Sequence, residues 1–263
     1  MKNIHIMLCG SNDQILKQSK GHESCELIYE KEYPEGAYYV IETKEKYLKV
    51  DIDEHIHPSI IYIPDGRMVY KIPEGEKLTA YHPEAFKGSY HHVHILAVTK
   101  QELKERRNIA LNGYDIRNAK GYYPHSDANV MTRDEAVFES RNAIDGYLDN
   151  KGHGAFPYQS WGGGLRDDLE FELYFGRTVV ADEVIITLRA DYVDDHDIHW
   201  ESAVIEFSDS DRLPIKMIKT TEPQSFKFEA KEIEWIKLNH LQREKSSAFS
   251  ALSQIQVMGK DIV

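Results

Sequence analysis

The chain has few cysteines and no long apolar run. Its 263 residues include two cysteines, Cys9 and Cys25. Two are too few for a disulfide framework, and nothing in the sequence requires a bridge between them. No apolar stretch approaches the length that a membrane-spanning helix needs. The opening segment "MKNIHIMLCGSND" is short and mixed, which is not typical of a secretory signal. From these absences we expect a cytoplasmic protein with no membrane partner.

Concentrated positive charge is also absent. The formal net charge is −12, and the densest basic cluster, Lys104–Arg107, is interrupted by Glu105. A polyanion is repelled by such a chain unless a basic patch is focused locally. Nucleic acid is therefore an unfavourable partner, and residues 104–107 are typical of the solvated face of a short helix. The sequence does not indicate an oligomeric state.

Familiar catalytic motifs are missing as well. The sequence contains no G-x-S-x-G elbow, no P-loop, no dinucleotide fingerprint and no H-E-x-x-H motif. A glycosidase needs two carboxylates at a fixed separation, and an abundance of acidic residues does not identify such a pair. We therefore expect a non-catalytic protein, while an enzyme that acts on a sugar stays open as an alternative.

What the sequence has in abundance is the alternation of apolar and polar residues. In "LEFELYF", residues 169–175, every second side chain is a leucine or a phenylalanine, which is typical of a half-buried strand. Similar short segments separated by turns recur along both halves of the chain. In "IPDGRMV", Asp65 and Gly66 predict a hairpin turn. Together these patterns predict an all-β protein of the sandwich or jelly-roll type.

One helix interrupts the strands and gives a position for a domain boundary. Thr99 and Glu102 in "TKQELKERR" form a capping-box pattern, which predicts a helix start. We place the boundary just after this helix. Residues 1–106 are then an N-terminal β-sandwich domain of unknown role, and residues 107–263 are a second domain. No low-complexity linker lies between them, so we expect the two halves to pack against each other.

Four segments of the second half resemble the discoidin domain, also called the coagulation-factor type C domain. "NIALNG" is similar to the opening of such domains and "SRNAIDG" (140–146) to their signature loop. Residues 168–191 and 251–262 are similar to the following strand–turn–strand and to the closing strand. The resemblance implies a galactose-binding-like jelly roll whose end loops bind a saccharide. The first half resembles no family, apart from preceding this type of domain in bacterial proteins, and we expect a bacterial source.

The resemblance also implies a structural calcium ion beneath the "IDG" loop. Asp145, Asp149 and Asn150 offer side-chain oxygens there, and calcium takes about six to eight oxygen ligands. The closing strand carries the neutral Gln254 at the position where members of the family have a glutamate. The alternative is that Asp145 caps the loop by accepting backbone N–H bonds. The residues leave both interpretations open.

Two segments carry the candidate ligand-binding residues. In "FPYQSWGGGLRDD" (156–168), an aromatic ring would stack on a sugar while charged side chains bind its hydroxyl groups. In "RADYVDDHDIHW" (189–200), polar residues follow a predicted strand end, where ligand loops cluster. The predicted saccharide-binding residues are Tyr158, Trp161, Arg166, Asp167, Arg189, Asp191, His199 and Trp200. For Trp161 we favour the alternative of a core position, and Arg189 has the alternative of a structural ion pair with Asp191 or Asp167.

Pairs of histidines give a further set of candidates. "EHIH" places His55 and His57 on one face of a predicted strand, and "HHVH" does the same for His92 and His94. If those strands are neighbours, their imidazoles can meet a zinc-like ion. The alternative is that they face solvent or a domain interface. The enzyme hypothesis places His91, His92 and His94 in a cleft opposite acidic residues of the second half. A third hypothesis is a structural or interaction protein.

Overall fold

The computed structural model describes residues 3–191, 198–243 and 249–263. Within these ranges the chain consists mainly of antiparallel strands, which confirms the predicted all-β class. Strands β1 to β8 span Ile4–Cys9, Ile15–Gly21, Ser24–Tyr29, Tyr38–Thr43, Tyr47–Asp51, Ser59–Tyr62, Arg67–Lys71 and His91–Ala97. Strands β9 to β16 span Arg107–Asn108, His125–Ala128, Trp161–Gly162, Phe171–Leu188, Trp200–Phe207, Arg212–Lys216, Gln224–Arg243 and Ala251–Asp261.

The strands of the first half form two four-stranded sheets. Their strand orders are β2-β1-β4-β7 and β3-β8-β5-β6. Apolar and polar residues alternate along the strands, so that in β1 the side chains of Ile4, Ile6 and Leu8 are buried. The buried rows of both sheets pack into one hydrophobic core. The first half is therefore a β-sandwich.

The turn at Asp65 and Gly66 joins the two sheets and does not close a hairpin. Strand β6 pairs with β5, whereas β7 pairs with β4 in the other sheet. Gly66 has φ +69°, and a Cβ at this position would lie 2.4 Å from the carbonyl oxygen of Thr43, so the turn requires glycine. The predicted turn is present, but the predicted pairing is wrong, because the choice of a partner strand depends on the core as a whole.

The predicted helix is confirmed, and one predicted strand is a helix instead. Helix α1 spans Lys100–Lys104, and its capping box is formed. The N–H of Glu102 donates to Thr99 Oγ1 at 3.2 Å, and the N–H of Thr99 donates to Glu102 Oε2 at 2.9 Å. The alternation of Leu78 and Ala80 in "KLTAY" (77–81) predicts a strand, but Gly75–Ala80 is a 3₁₀ helix. Further 3₁₀ helices span Thr132–Asp134, Ala136–Phe138 and Ser140–Ile144.

The second half is a jelly roll built around two long strands. The strand order is β11-β16-β12-β15-β13-β14, with β10 added to β12 and β9 to β16. Strand β12 has 18 residues and β15 has 20, and their pairing shifts between Tyr174 and Val179. The predicted strands at 169–175 and 183–190 therefore belong to one irregular strand. Its buried face contributes to a second hydrophobic core.

The two halves are joined by buried contacts. Tyr114 and Tyr122, which lie beyond residue 106, are buried in the core of the first half. The N–H of Ile52 donates to the hydroxyl of Tyr114 at 2.9 Å. Tyr62 and Tyr123 exchange backbone hydrogen bonds at 2.8 and 2.9 Å. The division at residue 106 stays a prediction, since the first core draws on residues from both sides of it.

The two cysteines do not form a disulfide bond. Cys9 and Cys25 are both buried free thiols. Burial raises the pKa of the Cys9 thiol above its ordinary value.

None of the helices in the described parts of the chain has the length and apolar character that a bilayer crossing requires.

Candidate functional site

The two tryptophans that the sequence analysis predicts as saccharide-binding residues, Trp161 and Trp200, lie in the core of the second half. Trp161 and Trp200 are both 0% exposed. Their ring centroids are 5.7 Å apart, and Trp161 also packs against Phe171. The indole N–H of Trp161 donates to the carbonyl of Val130 at 3.0 Å. Neither ring face is open to a ligand in this structure, in agreement with the core alternative for Trp161.

Tyr158 is the predicted aromatic residue whose ring reaches the surface. It is 36% exposed. The ring lies against Gly152, where a Cβ would come within 2.7 Å of Tyr158 Cδ2, so only glycine permits this close approach. The N–H of Tyr158 donates to the carbonyl of Ala155 at 3.0 Å, which holds the loop in a turn. Among the aromatic residues predicted to bind a ligand, Tyr158 is the one whose ring is exposed in the described part of the chain.

Arg166 and Asp167 have separate partners on the surface. Arg166 Nε donates to Asp168 Oδ1 at 2.7 Å in an exposed pair between near neighbours. Asp167 contacts the guanidinium of Arg243, which also donates to the carbonyl of Leu165 at 3.1 Å. The structure therefore ties both predicted residues to surface ion pairs, and their ligand-binding role stays a prediction.

Arg189 and Asp191 form a buried ion pair that extends to His153. Arg189 Nε lies 3.0 Å from Asp191 Oδ1, and both side chains are less than a tenth exposed. His153 Nδ1 lies 2.5 Å from Asp191 Oδ2, and its side chain is 53% exposed. We call these three residues the Arg189 cluster. In this cluster the half-exposed imidazole of His153 contacts a buried aspartate that is itself paired with a buried arginine. The ion pair between Arg189 and Asp191 is the structural alternative predicted from the sequence.

The segment containing His199 is anchored at the same end of the sheet. The carbonyl of Phe249 accepts from the guanidinium of Arg189 at 3.1 Å and from the N–H of Ile198 at 3.0 Å. His199 itself is 8% exposed. The structure thus ties the residue before His199 to the same carbonyl as Arg189, while His199 itself is buried and its ligand-binding role stays a prediction. Four polar residues of the same segment lie outside the described residues: Asp194, Asp195, His196 and Asp197.

A small cavity opens beside the Arg189 cluster. Its volume is about 60 Å³, and its lining includes His153, Arg189, Thr132, Arg133 and Ser250. Among the described residues, the buried Ser250 hydroxyl has no hydrogen-bond partner. Buried hydroxyls are normally satisfied, so this one is available to a group that enters the cavity.

The backbone at the rim of this cavity is strained. Arg133 has φ +55° and the next residue, Asp134, has φ +57°. Such left-handed conformations of non-glycine residues persist only where the surroundings enforce them. Here the Arg133 guanidinium lies 5.2 Å from the ring centre of Phe138 and makes two hydrogen bonds to Glu135, at 2.7 and 2.9 Å. These contacts hold an arginine side chain at the edge of the cavity.

Sequence reasoning missed several of these residues. His153 was visible as a lone histidine in a glycine-rich loop, which was a usable signal. Its partner Asp191 is 38 residues away in the chain, so the pairing follows only from the fold. Thr132, Arg133 and Ser250 carry no motif, and nothing in the sequence distinguished them.

The carboxylate of Asp145 is buried and held by neutral donors. It is 1% exposed. The side-chain amides of Gln254 and Gln159 donate to it at 2.6 and 2.8 Å, and the N–H of Tyr147 donates at 3.0 Å. Burial raises the pKa of Asp145 to about 6, although Arg141 and these three donors act in the opposite direction. The loop-capping interpretation of Asp145 matches these contacts.

The proposed calcium ligands do not fit an ion in this arrangement. Both oxygens of Asp145 already accept N–H bonds. Asn150 turns its amide Nδ2 towards the carbonyls of Leu188 and Thr221, at 2.9 Å each. Asp149 is exposed. Calcium needs several converging oxygens, whereas Gln254 presents an N–H group to Asp145, so calcium at this loop stays a prediction that the geometry does not favour.

The raised pKa of Asp145 predicts a pH dependence of stability. The ordinary value is about 3.9, so the folded protein binds a proton here more readily than the unfolded chain does. This group should therefore lower the free energy of unfolding as the pH rises from about 4 to about 6, by up to about 3 kcal/mol. Urea unfolding of the wild type and of Asp145→Asn, measured between pH 4 and 7, tests this. Parallel pH profiles for the two proteins would contradict it.

The glycine-rich loop between residues 146 and 158 also contacts the first half. The hydroxyl of Tyr147 donates to the carbonyl of His55, and the N–H of Phe156 donates to the carbonyl of Thr79 at 2.9 Å. The ring of Tyr147 packs against His57 with centroids 4.6 Å apart, and Phe156 packs against His82 at 5.2 Å. This loop, which contains His153, therefore joins the second half to the first.

The histidine pairs lie in different settings from those expected. His55 and His57 lie between β5 and β6 and not on a strand. His92 and His94 share the outer face of β8, while His91 is buried and stacks on Tyr33 at 3.7 Å. The cavity next to these histidines is lined by residues between 51 and 94. Among the described residues, the acidic side chains that line this cavity come from the first half, and the cleft between the halves that the enzyme hypothesis requires stays a prediction.

Comparisons with known proteins return carbohydrate-binding modules. No protein-family model and no curated protein matches the chain. Similar solved structures include a chitosan-binding module from a chitosanase/glucanase of Paenibacillus sp. IK-5, with 16% identity and a TM-score of 0.40, covering 59% of this chain and all of that one. A family 32 carbohydrate-binding module from C. perfringens, in complex with galactose, has 15% identity and a TM-score of 0.39, with coverages of 51% and 91%. A fucose-binding module from Streptococcus pneumoniae has 14% identity and a TM-score of 0.40, with coverages of 57% and 96%. Because these TM-scores are below 0.5, the similarities are not evidence of what this chain binds.

Proposed function

We propose that the second half of the chain binds a saccharide without transforming it, at the cavity beside the Arg189 cluster. The observation that carries the proposal is this cluster, in which a buried arginine and a buried aspartate support a half-exposed histidine at a small cavity. The class of ligand comes from the sequence, because residues 140–146 resemble the signature loop of discoidin domains.

The cluster has the chemistry that sugar hydroxyls require. Arg189 only donates hydrogen bonds, Asp191 only accepts them while ionised, and His153 does either according to its tautomer. A sugar hydroxyl both donates and accepts, so it can be matched by two such groups at once. Because burial and the ion pair already fix Arg189 and Asp191, little side-chain entropy is lost when a ligand binds. Ser250, whose hydroxyl has no hydrogen-bond partner in the described parts of the chain, adds another group to pair.

The size of the cavity limits what enters it. A volume of about 60 Å³ is room for about two water molecules, at roughly 30 Å³ each. One hydroxyl-bearing edge of a pyranose fits, and the rest of the ring would lie on the surface. The exposed Tyr158, on the same loop as His153, offers a ring to the apolar face of the sugar. We therefore propose recognition of a terminal sugar or of one edge of a chain.

Two surface substitutions test the proposal. Tyr158→Ala and His153→Ala should each weaken saccharide binding about tenfold, or about 1.4 kcal/mol, while the protein stays folded because both side chains are partly exposed. The binding is first found in a thermal-shift screen of mono- and oligosaccharides and then measured by titration calorimetry. A ligand at a hundred times its dissociation constant adds about 2.7 kcal/mol to the stability.

The matched control is Tyr90→Ala, which removes a tyrosine that is 62% exposed on the first half. It should leave saccharide affinity unchanged. If Tyr158→Ala and His153→Ala bind as the wild type does, the site is elsewhere. Release of new reducing ends from an oligosaccharide would instead support the enzyme alternative. The absence of binding to the whole panel would favour an interaction protein.

A further inference from the structure

The outer face of the second sheet of the first half gathers four metal-ligating side chains. His92 and His94 are two residues apart on β8, so they project from the same face. Across the sheet, Glu26 on β3 and Asp51 on β5 are both directly opposite His94. Side chains that are directly opposite have Cβ atoms about 4.5–5.5 Å apart. His94 therefore lies between the two carboxylates, and His92 lies beside it on the same face of β8.

The side chains of three of these residues already approach one another. His92 Nε2 lies 3.6 Å from Glu26 Oε2, and His94 Nε2 lies 3.9 Å from Glu26 Oε1. The two imidazole planes are nearly parallel, at 9°, with centroids 6.4 Å apart. In a tetrahedral zinc site with bonds of about 2.0–2.1 Å, neighbouring ligand atoms are about 3.3 Å apart. Each histidine–glutamate distance is therefore within 0.3 to 0.6 Å of that separation.

We propose that this face binds a zinc-class divalent ion through His92, His94 and Glu26, with Asp51 as the neighbouring fourth ligand. Imidazole nitrogen and carboxylate oxygen are donors that zinc accepts, in sets of about four. The ion would replace the two weak histidine–glutamate contacts with bonds to a shared centre. The proposal assigns a binding role to the first half and is independent of the saccharide site.

Binding requires a local side-chain movement. Among the residues that the structure describes, no group of three or more His, Cys, Asp and Glu side chains is already arranged to hold a metal. The two imidazoles must turn so that their Nε2 atoms converge on one point. The side chains of Glu26, His92 and His94 are 59%, 49% and 33% exposed, so they can rotate without displacing the core.

The charge around these residues favours a cation. His92, His94 and Asp51 line a cavity of about 280 Å³. Its wall carries the carboxylates of Asp51, Asp53, Glu54 and Glu84, against the single ammonium of Lys87. A concave surface with an excess of one sign raises the local concentration of counter-ions. A doubly charged cation is therefore attracted to the position where the histidines lie.

Titration of the untagged full-length chain with ZnCl₂, in a buffer free of chelators and phosphate, tests the proposal. We expect saturation at one ion per chain. His92→Asn and His94→Asn should each lower the affinity by more than the roughly 10- to 100-fold that loss of an outer-shell partner costs. Cobalt(II) provides a second readout, because a tetrahedral site gives it strong visible absorption that the same variants should remove.

The matched control is His5→Asn. His5 is an outward histidine on β1, and its Nδ1 lies 3.7 Å from Glu42 Oε2, but it belongs to the other sheet. This variant should bind zinc as the wild type does. Non-saturable binding would overturn the proposal, and so would an affinity that His92→Asn and His94→Asn leave unchanged. Loss of zinc binding in His5→Asn would place the ion on the sheet that contains β1, and this result would also overturn the proposal.

Discussion

Replacing Gln254 with glutamate is expected to lower the free energy of unfolding by about 3–5 kcal/mol. Gln254 is 1% exposed. Its Nε2 donates to Asp145 Oδ1 at 2.6 Å and to the carbonyl of Asn142 at 2.7 Å, and its Oε1 accepts from the N–H of Gly146 at 3.2 Å. A carboxylate cannot donate, so both donated bonds are lost. Two buried carboxylates then face each other.

The measurement is urea unfolding of Gln254→Glu beside the wild type at pH 7. Gln256→Glu is the matched control, because it makes the same change two residues along β16 at a partly exposed position. The control should cost less than about 1 kcal/mol. Equal losses for the two variants would mean that the contacts of Gln254 with Asp145 and Asn142 contribute little.

The response of the melting temperature to calcium separates two interpretations of the loop at residues 140–146, a structural calcium site and a cap formed by Asp145. In the wild type the amide of Gln254 occupies the side of Asp145 that an ion would need, so calcium and chelator should leave the melting temperature unchanged. In Gln254→Glu the oxygens of Asp145, of the new carboxylate and of the Asn142 carbonyl converge, and such oxygens are what calcium binds. Calcium should then recover part of the lost stability. An equal calcium response in the wild type would support the ion site that the sequence resemblance implied.

The strands were predictable because their signal is local. The alternation in residues 169–175 is a property of neighbouring side chains, and it lies in β12 as expected. The capping box at Thr99 and Glu102 is equally local, and it is formed. The pairing of β6 and β7 was wrong because both strands choose partners far away in the sequence. The joining of two predicted strands into β12 was missed because the break at Gly176 resembles a turn.

The candidate site was predictable only as a region. The two segments at 156–168 and 189–200 contain Tyr158, Arg189 and Asp191. The structure pairs Arg189 with Asp191 and leaves Tyr158 exposed, and the ligand-binding role of all three stays a prediction. Which aromatic rings are exposed is decided by packing, and packing buries Trp161 and Trp200. The contact between His153 and Asp191 connects residues 38 apart, and no spacing rule identifies such a pair.

Replacing Asp261 with alanine is expected to cost about 3–5 kcal/mol of stability, the usual loss when one partner of a buried ion pair is removed. The side chain of Asp261 is fully buried. Arg177 Nε donates to it at 2.6 Å, and Arg107 Nη2 contacts its other oxygen. The Arg177 guanidinium also lies over the rings of Tyr47 and Tyr62 of the first half, 5.4 and 5.2 Å from their centres. Loss of the carboxylate removes the negative charge that Arg177 and Arg107 share at the junction of the halves.

The pH dependence distinguishes an ion pair from simple packing. Burial raises the pKa of Asp261, but the contacts with Arg177 and Arg107 outweigh it and hold the pKa below its ordinary value. The carboxylate therefore contributes stability above about pH 3.9, and this contribution is lost as the pH falls through the lower folded-state pKa. The difference between wild type and Asp261→Ala should be full at pH 7 and shrink only below about pH 4.

An exposed ion pair close to the same junction provides the control. Asp182 accepts from Arg106 Nη2 at 2.8 Å, but its side chain is 37% exposed. Because solvent screens this pair, Asp182→Ala should cost less than about 1 kcal/mol. Chemical unfolding of both variants compares the two pairs directly. Similar losses would show that burial adds nothing to the Asp261 contacts, whereas the expected difference makes Asp261 the charge that holds the closing strand to the start of the second half and, through Arg177, to the first half.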